Sequence, residues 1–190
     1  LVRRSLKVAL LYGIFFCGLM FLLAEPLCLK LYGRQEAGKY LRLYSLMIPM
    51  LYCDAITDAM TKGLGQQKIC VRYNILTSAM DVVFLYFLLP EYGMDGYYIS
   101  FLVTHLLNFA LSLRRLLIIS GETIPFYIPA LSTAAVLGAV WLACHFSHPA
   151  AQTTAYILCL GSLLCLFRVT GREDISWLKG LIGRKTALSQ

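Results

Sequence analysis

The residues best equipped for chemistry are acids set inside apolar runs. Asp54 and Asp58 are four positions apart, so on a helix they share one face, with Lys62 one turn further on. Asp81 ends a second polar series, Asn74, Thr77, Ser78 and Asp81, at i, i+3, i+4 and i+7. A third series, Ser100, Thr104, Asn108 and Ser112, steps by four, with His105 beside it. With Gly63 at the cytoplasmic exit of its helix and about 1.5 Å of rise per residue, Asp54 lies about 13 Å inside. An ionised Asp at such a depth costs on the order of 2.5–3.5 kcal/mol on insertion scales. A second carboxylate beside it adds to the cost unless one is protonated or a cation is near, and Lys62, Lys68 and Arg72 are the candidate cations. Asp58 and Lys62 can form an interfacial pair that holds the helix end. Asp54 is the stronger candidate for a pathway or coupling role, because intramembrane acids are functional candidates by default. Asp81 reads the same way, since burying a lone carboxylate is expensive. Ser, Thr and Asn also serve as interhelical glue, and a single His is either a packing residue or a group that titrates near neutral pH. Three successive helices with polar faces most simply surround a hydrated cavity. Its candidate residues are Asp54, Asp58, Asp81, Asn74, Asn108, His105 and Arg72.

Other chemistries fare worse. The spacing Asp54-x-x-x-Asp58 superficially matches the aspartate motif of intramembrane prenyltransferases, which hold magnesium with paired motifs. Here the motif occurs once and Asp81 stands alone, so no enzyme is expected. The cysteines Cys17, Cys28, Cys53, Cys70, Cys144, Cys159 and Cys165 form no CxxC pair and have no His at zinc-ligand spacing. They read as free thiols acting as small apolar residues. No cofactor and no metal site is expected.

The elements that must carry these residues are membrane helices. Of 190 residues, 59% are hydrophobic and 14% charged, with a mean hydropathy of +0.70. Soluble domains have roughly 45–50% apolar and about 25% charged residues, and a small domain cannot hide the excess. Six segments meet the length of about 20 apolar residues that a bilayer core requires: Leu6–Ala24, Tyr40–Met60, Cys70–Leu89, Tyr97–Ile119, Phe126–Phe146 and Ala151–Val169. Turn chemistry separates them at Glu25-Pro26, Gly63-Leu64-Gly65, Pro90 to Gly96, Gly121 with Pro125, and His148-Pro149. Pro49 removes a backbone hydrogen bond within the second segment, so a kink or hinge is expected there. Backbone satisfaction in hydrocarbon makes all six helical. The fold class is therefore an all-α transmembrane bundle: residues 1–120 hold four helices, 121–170 two more, and 171–190 form a cytoplasmic tail. The first, fifth and sixth segments are apolar nearly all round, as lipid-facing helices are.

The net charge of +7 sits in short basic clusters between the apolar runs. These read as topological markers and contacts for anionic lipid, not as a nucleic-acid surface. With the amino end cytoplasmic, the inside receives thirteen basic residues (3, 4, 7, 62, 68, 72, 114, 115, 168, 172, 179, 184 and 185). The outside receives four, Lys30, Arg34, Lys39 and Arg42. The asymmetry predicts both termini inside. The first outer loop is discordant, and Glu25 and Glu36 offset it only in part. In the tail, Ile175, Trp177, Leu178 and Leu181 are set to lie on the membrane surface. The chain starts at Leu1, not Met, which leads to the expectation of a fragment of a longer reading frame.

The run Leu51-Tyr52-Cys53-Asp54-Ala55-Ile56-Thr57-Asp58-Ala59-Met60-Thr61-Lys62-Gly63-Leu64-Gly65-Gln66-Gln67 resembles the tenth helix and following loop of oligosaccharide flippases related to stage V sporulation protein B. Those flippases belong to the superfamily that contains the multidrug and toxin extrusion exporters. Arg72-Tyr73-Asn74, the turn from Leu88 to Gly96, Leu31-Tyr32-Gly33 and the stretch Asn108 to Arg115 also look like family signatures. The likeness covers roughly Leu6 to Leu117, and the last two helices mainly by position. It implies a carboxy-terminal portion, helices nine to fourteen, of a two-lobed transporter in a bacterial plasma membrane. The amino-terminal lobe, which supplies much of the cationic cavity for a lipid diphosphate in the flippase branch, is absent from this sequence. The implied function is translocation of a lipid-linked oligosaccharide or polysaccharide precursor. The alternatives are a cation-coupled drug exporter, in which Asp54 or Asp81 exchanges protons or sodium, and an inactive truncated product.

Overall fold

The computed structural model describes residues 2–33, 36–123, 127–146 and 148–166, and every regular element among them is helical. In chain order these are α1 (Val2–Tyr32), α2 (Glu36–Ser45), α3 (Ile48–Gly63), α4 (Gln67–Ser120), α5 (Tyr127–Ala143) and α6 (Pro149–Leu166). Of these, α1 and α4 are long and apolar enough to cross a membrane. The chain divides into two units, Leu1–Pro125 and Phe126–Gln190. The tail from Gly171 onward and the end of the sixth predicted segment lie outside the described residues.

Within the first unit, α1 is longer than the sequence reading at both ends. Glu25-Pro26, read as a break, does not end it; the helix runs on to Tyr32 and stops at Gly33, whose φ is 66°. The residues around the proline are held from outside. Glu25 pairs with Arg42 of α2 at 2.7 Å, and a Cβ on Gly38 would meet Glu25 Cα at 3.0 Å. Such packing retains a helix through a missing backbone donor.

The segment predicted over Tyr40–Met60 is two helices. Leu46 and Met47 form a turn, and Pro49 sits in the first turn of α3, where its missing N–H is no loss. The hinge predicted at Pro49 is thus a break immediately before it. Direction is kept across the break. Glu25 and Phe21 face Arg42, Gly13 faces Pro49, and the rings of Tyr12 and Tyr52 lie 5.0 Å apart. Paired positions move down α1 as they move up α2 and α3, so the two short helices run successively antiparallel to α1.

The third and fourth predicted segments are the two limbs of α4, residues 67–92 and 94–120. Gly93 joins them with φ 57° and ψ −130°, outside the helical region and open only to glycine. A hairpin results, not a straight rod: Thr77 meets Asn108, and Asp81 meets Ser100 and Thr104. Gly96 lets the limbs close, because a Cβ there would collide with the Leu88 carbonyl. The second limb runs parallel to α2 and α3. Tyr98 donates to the Leu43 carbonyl at 3.2 Å at one end, and Asn108 reaches Asp54 further along. At the far end the Arg115 guanidinium donates to Gln66 Oε1 at 2.8 Å, tying the Gly63–Gln66 loop to the end of α4.

In the second unit α5 and α6 pack together along small residues, with Ala135, Ala139, Ala143 and Tyr156 buried. Leu137, Trp141 and Leu158 face outward.

Candidate functional site

The first unit buries small polar side chains between α3 and the limbs of α4, while α1 contributes an apolar face with Leu6, Ile14 and Leu22 buried. Thr57, Thr61, Ser100 and Ser112 are at most 1% exposed, while Ile75, Val82, Tyr86 and Phe87 on the first limb of α4 are each at least 63% exposed. The buried threonines satisfy themselves locally: Thr57 donates to the Cys53 carbonyl at 2.7 Å and Thr61 to the Thr57 carbonyl at 2.8 Å. The longer polar groups bond between helices.

Those groups line an open cleft of about 460 Å³ between α3 and the two limbs of α4. Asp54 and Asp58 of α3, Asn74 and Asp81 of the first limb, and His105 and Asn108 of the second all line it. Six of the seven residues predicted from sequence therefore converge. Arg72 does not; it is exposed, and the cleft lining holds no Lys or Arg.

Two carboxylates sit in separate bonded stations. Asn108 Nδ2 donates to Asp54 Oδ2 at 3.1 Å, and Asn108 Oδ1 accepts from the Thr77 hydroxyl at 3.4 Å. The three helices thus meet at one amide. Asp81 Oδ1 accepts from Ser100 at 2.6 Å and from Thr104 at 3.2 Å, which clamps the hairpin nearer its tip. These bonds realise both readings of the stripes, since the same side chains join helices and line the cleft. Asp58 pairs with Lys62 at 2.6 Å near the end of α3. The neighbouring carboxylate, as acceptor and as charge, raises the pKa of Lys62. Asp58 Oδ1 remains buried without a hydrogen-bond partner.

His105 is held by aromatic contact. Its ring lies 4.1 Å from that of Phe101, which continues to Tyr97 and Tyr44. Its Nδ1 is buried without a hydrogen-bond partner. The sequence reading did not single out these aromatics, although positions 97, 101 and 105 fall at steps of four on one helical face. It also missed a second cavity, between α1 and α2, which contains Glu25, Lys39 and Arg42. Among the described residues no cluster of three His, Cys, Asp or Glu could hold a metal ion. The six cysteines with described side chains are free thiols.

No protein family, curated protein or solved structure matches this chain.

Proposed function

We propose that this chain is part of a polytopic membrane transporter, the carboxy-terminal portion of a flippase for lipid-linked oligosaccharide or polysaccharide precursors, working by alternating access. The observation that carries the reading is the cleft: carboxylates, amides and hydroxyls gathered inside helices whose outer faces are apolar. A water-exposed protein gains nothing from presenting Phe87 and Val82 outward while burying Ser100 and Thr104, whereas a lipid-embedded one satisfies both groups. In this reading the apolar segments cross the plasma membrane of a bacterium, both termini are cytoplasmic, and the cleft lines one half of a central path. The sequence resemblance supplies the substrate class, and a missing amino-terminal lobe supplies the other half. No catalytic role is assigned to the acids.

One feature of the cleft favours a second reading. Its lining has three carboxylates and no Lys or Arg, a poor match to an anionic diphosphate and a good one to a cation. In a flippase the diphosphate then rests against the other lobe; in a cation-coupled exporter the cleft itself carries the coupling ion. Reconstitution of the intact gene product in proteoliposomes separates them. The flippase reading requires a fluorescent polyprenyl-diphosphate glycan to become accessible to a membrane-impermeant reductant, and Asp54→Asn to slow that step. Efflux of a cationic dye that collapses in Asp54→Asn, with no movement of the glycan, selects the exporter.

A further inference from the structure

Two of the four basic residues that break the charge asymmetry, Lys39 and Arg42, meet in the cavity of about 270 Å³ between α1 and α2. We infer that this cavity is a binding site for the phosphate group of a membrane phospholipid, with Lys39 as the principal ligand and Arg42 as a fixed second donor. The inference rests on the membrane embedding proposed above.

Arg42 is immobilised. Nη1 pairs with Glu25 at 2.7 Å, Nε donates to the Phe21 carbonyl at 3.3 Å, and the guanidinium lies 5.5 Å from the centroid of the Phe21 ring. A guanidinium has five N–H donors, so donors remain for an anion. Glu25 and Arg42 cancel in charge, which leaves Lys39 to set the sign of the cavity. Among the described residues Lys39 has no carboxylate partner; its ammonium lies 5.8 Å from the Tyr40 ring centroid, a weak contact that an anion readily replaces.

The rest of the lining is apolar: Phe21, Leu43 and Leu46. A cationic point above apolar walls fits an amphiphile better than a free anion. Position argues the same way. The cavity lies where the apolar run of α1 gives way to Glu25, and α2 carries Tyr40 beside Lys39, a residue type typical of the headgroup level. A bound phosphate also accounts for basic residues held on the side of the membrane where the asymmetry rule disfavours them.

The test is native mass spectrometry of the protein purified in mild detergent and incubated with phosphatidylglycerol, or with diacylglycerol of the same chains. Phosphatidylglycerol is expected to be retained and diacylglycerol not. Lys39→Gln is expected to lower occupancy about fivefold, the factor one basic residue contributes at a lipid surface, while Lys30→Gln, outside the cavity, leaves it unchanged. Lys39 is exposed, so the substitution leaves the fold intact, which an unchanged thermal midpoint checks. Equal occupancy in the two variants, equal retention of diacylglycerol, or displacement of the lipid by millimolar inorganic phosphate overturns the site. Extraction of the protein from membranes by alkaline carbonate overturns it too, and that result alone also removes the membrane reading.

Discussion

Asn108 is the side chain on which three helices depend. Its amide donates to Asp54 on α3 and accepts from Thr77 on the first limb of α4. Asn108→Leu preserves volume but takes the amide donor from the Asp54 carboxylate, while Thr77 keeps its bond to the Tyr73 carbonyl at 2.9 Å. A loss of about 1–3 kcal/mol in unfolding free energy is expected from the stranded carboxylate. Thermal or chemical denaturation in detergent measures it, and a midpoint equal to the parent's removes Asn108 from the structural role. Lys62 behaves differently. Its pKa is raised by Asp58, so the pair's stabilisation is fully present below the unfolded lysine value and is lost as pH rises through the folded value. Unfolding midpoints of the parent and Lys62→Met are therefore expected to differ at neutral pH and to converge only in the alkaline range above ordinary lysine titration. Convergence already at neutral pH removes the pair. The spacing of Asp58 and Lys62 makes this pair legible in the sequence, because four residues bring side chains together on any helix, whereas the partner of Asn108 is not legible there.

The helical elements were legible where apolar length decided them, and misread at two prolines, Pro26 and Pro49, while the turn at Pro90 to Gly96 and the break at His148-Pro149 stand where the sequence put them. Pro26 lies inside α1 because contacts from α2 hold the surrounding turns, whereas Pro49 marks a helix start because it falls where a backbone donor is spare. Local sequence has no means of distinguishing these two cases. The tip of α4 is set by glycine instead. Gly93 occupies a backbone conformation denied to other residues, and Gly96 packs against the Leu88 carbonyl. Gly93→Ala is expected to cost about 1–3 kcal/mol through backbone strain. Gly96→Ala pries the limbs apart and weakens the bonds of Asp81 to Ser100 and Thr104. Hydrogen exchange across residues 77–108 reports this: faster exchange in both variants is expected, and unchanged protection in Gly96→Ala contradicts the close approach.

At the scale of the whole molecule, alternation of direction is the property with consequences. Since α1, then α2 with α3, then each limb of α4 reverse in turn, the Gly63–Gln66 loop and the Gly93 tip lie at opposite ends of the first unit. Leu64→Cys and Tyr92→Cys, introduced into a chain cleared of its native cysteines, are expected to react with a membrane-impermeant maleimide from opposite faces of the membrane. Labelling from the same face contradicts the proposed crossing. What the sequence by itself determined is the all-helical character of the described residues and the stripes of polar residues along three segments, since both follow from local period and apolar length. Six of its seven candidate residues line the cleft, because the polar faces of neighbouring helices turn toward one another. Only the tertiary structure decided that Asn108 joins Asp54 to Thr77, that Arg72 stays outside, and that Lys39 and Arg42 meet across from Glu25. Those outcomes depend on the relative rotation and register of neighbouring helices, which are set by close contacts such as Gly13 on Pro49 and Gly96 on Leu88 between residues far apart in the chain or across a turn. A stripe announces that a helix has a polar face; the packing of its partners decides what that face meets.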